Sequence, residues 1–212
     1  MNNRRKTYRK YVVFGITISL ALAVTAICVV SYKNTITPAG IIIHHSALPY
    51  PQLEPEAYLP LITEIHRRRD YGIFYWGRMY YEGYHYVILP DGTIKRGRPD
   101  HCRGAHAQGF NSYIGICVVG DFSTTHNPDG SSGPLQPSDE QIKSLAELCC
   151  RLITEFRIPP GQLLRHSDVN QSTECPGDRF PFQVLIKEIG TKPRGSEDKA
   201  CSVQFDKLVF QP

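Results

Sequence analysis

No segment of this 212-residue chain repeats another, and neither a Cys-x-x-Cys pair nor a His-Glu-x-x-His motif occurs in it. The first absence excludes a repeat array, and the second removes the short-spaced signatures of the commonest zinc sites. Residues 1–33 hold no Asp or Glu, although they carry six of the 24 Lys and Arg residues. Beyond them 18 basic residues face 20 acidic ones, a net of −2, so the overall +4 belongs to the N-terminal end. The rest of the chain therefore lacks the basic excess of a general DNA or RNA binder. With 41% hydrophobic and 21% charged residues, 17 Gly and 16 Pro, the composition also lacks the bias of disordered, collagen-like or coiled-coil chains. The length suits one domain with appendages, at ~150 residues per domain.

What is present begins with Arg4, Arg5, Lys6, Arg9 and Lys10, followed by an uncharged run from Tyr11 to Val30. Twenty residues at ~1.5 Å each reach about 30 Å, the thickness of a bilayer core. Residues 1–10 thus read as a basic cytoplasmic end and 11–30 as a transmembrane signal-anchor, sending the remainder to the periplasmic or extracellular side. The competing reading is secretion after signal cleavage, for which Ala21, Ala23 and Ala26 offer small residues; the apolar run exceeds the usual ~7–15-residue signal core. Cys28 follows Ile27 rather than a small residue, which disfavours a lipid-modified cysteine.

Residues 31–39, with Pro38, read as a linker, 40–190 as one domain, and 191–212 as a polar tail with weak alternation at its end. Ile41-Ile42-Ile43-His44-His45 predicts a buried strand that delivers imidazoles at its exit. Glu56–Arg69 predicts a helix, provided Pro60 sits in its first turn. The aromatic stretch 71–81 shows no clean period and reads as a loop. Pro90-Asp91-Gly92 predicts a hairpin turn between Tyr84–Leu89 and Thr93–Lys95. Tyr113–Val119 predicts another strand, with Cys117 in the core. Ser138 offers an N-cap with Gln141 three residues on, and Ile142, Leu145, Leu148, Leu152, Ile153 and Phe156 form one apolar stripe. A last helix is expected over Phe182–Ile189, stopped by Gly190. Strands interleaved with helices imply an α/β fold: a single layered domain with a central mixed sheet flanked by helices, preceded by one transmembrane helix.

Seven cysteines cannot all pair with one another. Export permits disulfides, but no pairing follows from the spacing, and adjacent Cys149 and Cys150 point to different helix faces, so at most one is core. Cys175 ends a polar segment that starts at His166. A histidine and a cysteine on one loop, facing a histidine at a strand end, can supply three tetrahedral ligands and leave a fourth position for water. By composition alone a cysteine nucleophile with a histidine base is equally open.

Four segments occur in order: Ile41 to Ala47; Gly83-Tyr84-His85-Tyr86-Val87-Ile88 with Asp91-Gly92-Thr93; Gly104-Ala105-His106-Ala107-Gln108-Gly109-Phe110-Asn111 continuing through Ile114 to Gly120; and His166 to Gly177. Together they resemble the zinc amidases of the N-acetylmuramoyl-L-alanine amidase family, shared by bacteriophage amidase lysozymes and peptidoglycan recognition proteins. The resemblance spans about residues 40–190. It implies one Zn²⁺ per chain held by His44, His166 and Cys175, with Tyr84 and Thr173 as catalytic residues beside it. His106 and Asn111, with His45 as a neighbour, are implied on the substrate side. The implied reaction is metal-assisted hydrolysis of the amide between N-acetylmuramic acid and L-alanine in peptidoglycan; the expected partners are peptidoglycan and the membrane, with no nucleic acid, and the chain is expected to be a monomer. Some relatives bind peptidoglycan without cleaving it and lack the metal cysteine, which makes a non-catalytic recognition module the alternative. No carboxylate in the matched segments stands out as a general base, Asp168 and Glu174 being the nearest in sequence. The departure from the pattern is the long aromatic stretch Gly72–Glu82.

Overall fold

The computed structural model describes residues 2–48 and 53–191. The C-terminal tail and Cys201 lie outside the described residues. Helix α1 (Asn2–Lys33) is a single 32-residue helix whose apolar side chains, Phe14, Ile16, Leu20 and Leu22 among them, are exposed along its length. By length and composition it can cross a bilayer; a signal sequence passes the same test.

The domain that follows is built on a five-stranded mixed sheet. Strand β1 (Ile41–His45) is buried throughout and lies between β6 (Ile114–Val118) and β7 (Leu163–Arg165), parallel to both. Strand β4 (Tyr86–Ile88) runs parallel to β6 on its far side, and β5 (Ile94–Arg96) closes the edge as the antiparallel arm of the expected hairpin. The order β5-β4-β6-β1-β7 puts the most apolar strands at the centre, as a sheet covered on both faces requires.

Strand alternation divides the core in two. Ile41, Ile43, Ile114, Ile116 and Val118 pack under helices α3 (Asp139–Phe156) and α5 (Phe182–Thr191). Val87, Cys117 and Val119 pack with Tyr58 and Ile62 of α2 (Pro55–Arg68) on the opposite face. The start of α3 is fixed by a capping box: Ser138 Oγ accepts from the Gln141 amide at 3.1 Å, and the Gln141 side chain accepts from the Ser138 amide at 3.1 Å.

Four local expectations change. Helix α2 begins at Pro55, so Pro60 lies in its second turn rather than its first, with its ring exposed. Helix α5 continues through Gly190 to Thr191. The aromatic stretch is not a loop but a hairpin, β2 (Ile73–Tyr75) and β3 (Arg78–Tyr80), reversed at Trp76 and Gly77, both with positive φ. Residues 34–39, expected as a linker, are hydrogen-bonded to the domain: Ile36 N donates to His101 O, Arg103 N to Asn34 O, and Ala39 N to Ser112 O. No disulfide joins the six cysteines among the described residues; Cys117 and Cys149 are fully buried and Cys150 only partly so.

Candidate active site

Strand β1 delivers His44 and His45 to opposite faces of the sheet. His44 meets His166, at the first residue of α4 (His166–Val169), and Cys175 on the loop beyond it. One ligand atom from each of His44, His166 and Cys175 lies within 4.8 Å of the other two. His44 Nδ1 is 3.6 Å from Cys175 Sγ. Tetrahedral Zn²⁺ with bonds of about 2.05 Å to nitrogen and 2.3 Å to sulfur sets a nitrogen–sulfur separation of about 3.6 Å, so this pair fits the ion. Two contacts hold the Cys175 loop in place: Ser167 N donates to Cys175 O at 2.8 Å, and His45 N donates to Cys175 Sγ at 3.4 Å.

The hydrogen bonds also assign the His44 tautomer. His106 Nε2 faces the Tyr113 carbonyl at 3.0 Å and must donate to it. His106 Nδ1 is then an acceptor, so His44 Nε2 must be the donor across their 3.0 Å contact. His44 Nδ1 consequently carries its lone pair, aimed at the cluster, which is the arrangement a metal-ligating imidazole needs. Burial holds the His44 and His166 pKa values below the usual 6.5 and keeps both rings neutral. Burial pushes the Cys175 thiol up to about 12, only partly opposed by the His45 amide. A divalent cation at this position would take the proton's place. The donor set, two neutral imidazoles and one thiol, thus suits zinc.

Tyr84 packs its ring 5.1 Å from those of His44 and His66. Burial, with Cys117 and Cys175 adding to it, keeps the phenol protonated well above its ordinary pKa of 10, so Tyr84 can donate a hydrogen bond but not serve as a base at neutral pH. Thr173 is half-buried; its Oγ1 accepts from Cys175 N at 3.2 Å and leaves the hydroxyl proton available.

The residues expected on the substrate side separate. His106 has both ring nitrogens engaged, one of them on His44, and so stands behind that ligand. Asn111 Oδ1 accepts from the amides of His106 and Ala107, shaping their loop, and the residue borders a cleft of ≈ 440 Å³ that Tyr71, Arg98 and Arg103 also line. His45 is not brought to the cluster: alternation turns it toward Asp121 and Phe122, where its Nδ1 accepts from Phe122 N at 3.3 Å. Both nearby carboxylates are committed elsewhere. Asp168 holds the Arg165 guanidinium and amide at 2.7 Å each, and Glu174 accepts from Ser123 and Thr125.

Sequence reasoning missed the role of His106 behind His44, and one signal for it was available. Gly115 interrupts a β-branched strand, and a Cβ there would stand 2.5 Å from the His106 ring, as would one on Gly104. Two further histidines act as internal staples. His85 Nδ1 accepts from Gly115 N and its Nε2 donates to Cys102 O, while His66 Nδ1 accepts from Gly83 N.

These features define a class, a mixed-sheet α/β domain with a three-donor candidate metal centre where its central strand ends. The sequence profile of the N-acetylmuramoyl-L-alanine amidases matches residues 34–178, and the chain belongs to that family. It is 35% identical over 115 residues to the endolysin of Enterobacteria phage T3, covering 53% of this chain and 70% of that protein. It is 36% identical over 154 residues to peptidoglycan-recognition protein 2 of Holotrichia diomphalia, covering 71% of each. Among solved structures it resembles the N-acetylmuramoyl-L-alanine amidase LysC from Clostridium intestinale, with TM-score 0.55, 34% identity, and coverage of 74% of this chain and 88% of that one. Drosophila PGRP-LB is similar too, with TM-score 0.54, 28% identity, and coverage of 76% and 84%.

Proposed function

We propose that this chain is a zinc-dependent amidase that hydrolyses the bond between N-acetylmuramic acid and L-alanine in peptidoglycan, and that α1 anchors it in the membrane with the domain outside the cytoplasm. One observation carries the catalytic reading: donor atoms of His44, His166 and Cys175, separated by up to 131 residues in sequence, lie within 4.8 Å of one another. Family membership supports the substrate class, since the similar proteins include an endolysin and a peptidoglycan-recognition protein. The presence of Cys175 favours hydrolysis over recognition alone.

Bound zinc would supply Lewis acidity at the scissile carbonyl. The chain's own residues do the rest. His106 fixes the His44 ring so that Nδ1 faces the cluster, and the His45 amide steadies the Cys175 sulfur. Tyr84 keeps its proton and donates to the oxygen on which negative charge develops. Thr173 offers a second hydroxyl from the Cys175 loop, and Asn111 shapes the loop that carries His106.

The test is incubation of the detergent-solubilised full chain with purified sacculi, with and without chelator. New N-terminal alanine that disappears on chelation and returns with zinc supports the amidase. Co-sedimentation with the wall and no released amine leaves the recognition module in its place.

A further inference from the structure

The β2–β3 hairpin departs from the expected loop, and its position relative to α1 gives it a use. The apolar run of α1 ends at Val30, and the next residue, Ser31, is fully buried. Ser31 Oγ accepts a hydrogen bond from Trp76 N at 2.8 Å, and Asn34 Nδ2 donates to Phe74 O at 3.0 Å. The hairpin turn is therefore hydrogen-bonded to the residue directly after the apolar run. No slack intervenes, because Thr35 pairs with Cys102 and Ile36 with His101.

We propose that this hairpin is a foot resting in the headgroup boundary of the phospholipid bilayer, with Trp76 and Met79 dipping into it. The proposal rests on the anchor reading of α1. At the turn, Trp76 is 59% exposed and Met79 44%, and Tyr32, on the last turn of the helix, is 80% exposed. Arg78, exposed and stacked on Tyr80 at 4.8 Å, adds a guanidinium suited to lipid phosphate. Trp and Tyr concentrate at membrane interfaces, where an amphipathic ring has one apolar and one wet side, and Arg reaches outward from the same level.

The backbone argues in the same direction. Trp76 has φ +45° and Gly77 +85°. Two-residue turns with both φ values positive take Asn-Gly, Asp-Gly or Gly-Gly, and a bulky residue there is an outlier. The indole meets the Tyr75 ring edge-on at 6.3 Å yet stays 59% exposed, and a bilayer surface would cover the rest. The bilayer is continuous with the helix that the hairpin already grips. The foot would hold the domain at a fixed tilt over the membrane instead of letting it swing on a tether.

Trp76 is the chain's single tryptophan, so it reports on itself. The full chain is reconstituted into phosphatidylethanolamine–phosphatidylglycerol vesicles, washed at alkaline pH and floated, and its fluorescence is read. The expected result is co-flotation with blue-shifted emission, quenched more by lipids brominated near the headgroup than near the chain end, and shielded from aqueous iodide. Co-flotation with water-like emission, open to iodide and untouched by brominated lipid, would overturn the foot while leaving the anchor standing. Loss from the vesicles on washing would overturn the anchor and the foot together.

Discussion

At the scale of single residues, the chemistry turns on which atoms are already spoken for. His44 has one nitrogen tied to His106 and the other free toward Cys175, whereas Tyr84 cannot release its proton at neutral pH. Tyr84→Phe should leave zinc stoichiometry unchanged and lower kcat by about 10²–10³, the cost of one oxyanion donor, about 2.7–4 kcal/mol. A fully active phenylalanine variant would remove Tyr84 from the mechanism. The second consequence concerns protons. His44 and His166 are neutral below the usual 6.5, but the Cys175 thiol, raised to about 12, must lose a proton to bind metal. Apparent zinc affinity should therefore rise about tenfold per pH unit between about pH 6.5 and 8, one proton released per ion. Competition titration against a chromophoric chelator measures it, and a slope of zero would mean that the sulfur is not a ligand.

At the scale of elements, periodicity was readable wherever one face of a strand or helix is buried. The Ile-rich run of β1, the capped stripe of α3 and the Asp91-Gly92 hairpin all lie within a residue or two of their expected places. Alternation along β1 puts His44 and His45 on opposite faces of the sheet. The β2–β3 hairpin escaped because Trp76-Gly77 is not a customary turn pair and its strands, three residues each, are too short for a period to emerge. The place of His106 escaped because its partner, His44, is 62 residues away and nothing local records the contact. Gly115 does record it indirectly, and that yields a prediction about β6. Gly115→Ala puts a methyl group 2.5 Å from the His106 ring and should free His44 Nε2. Zinc affinity should fall about 10–100-fold, the usual effect of losing a ligand's outer partner. His106→Ala should give a similar loss, and the double variant should add little to either. Additive losses would show that Gly115 acts on the metal by another route.

At the scale of the whole molecule, the sheet holds imidazoles on both faces, and burial, the largest cause at each, keeps them uncharged. His45, His66 and His85 are drawn down to about 4 and His106 to about 3. His85 and His106 are hydrogen-bonded to carbonyls through Nε2, and the Nδ1 of each accepts, so protonation there breaks a bond in the fold's interior. In the unfolded chain the same groups titrate near 6.5. Above that pH both states are neutral, and these residues make no contribution to the pH dependence of stability. As pH falls from 6.5 toward 4 the unfolded chain takes up protons that the fold refuses, so stability is lost, by up to about 1.4 kcal/mol per pH unit for each histidine. Bound zinc steepens the loss, because acid also competes for its ligands. Chelated protein is the cleaner test: urea midpoints at neutral pH should be independent of pH, then drop through the range from 6.5 to 4. His85→Gln, which removes one titrating staple, should lower the neutral midpoint and flatten the acid limb. An acid limb with the slope of the parent chain would mean that His85 is not among the groups that set it.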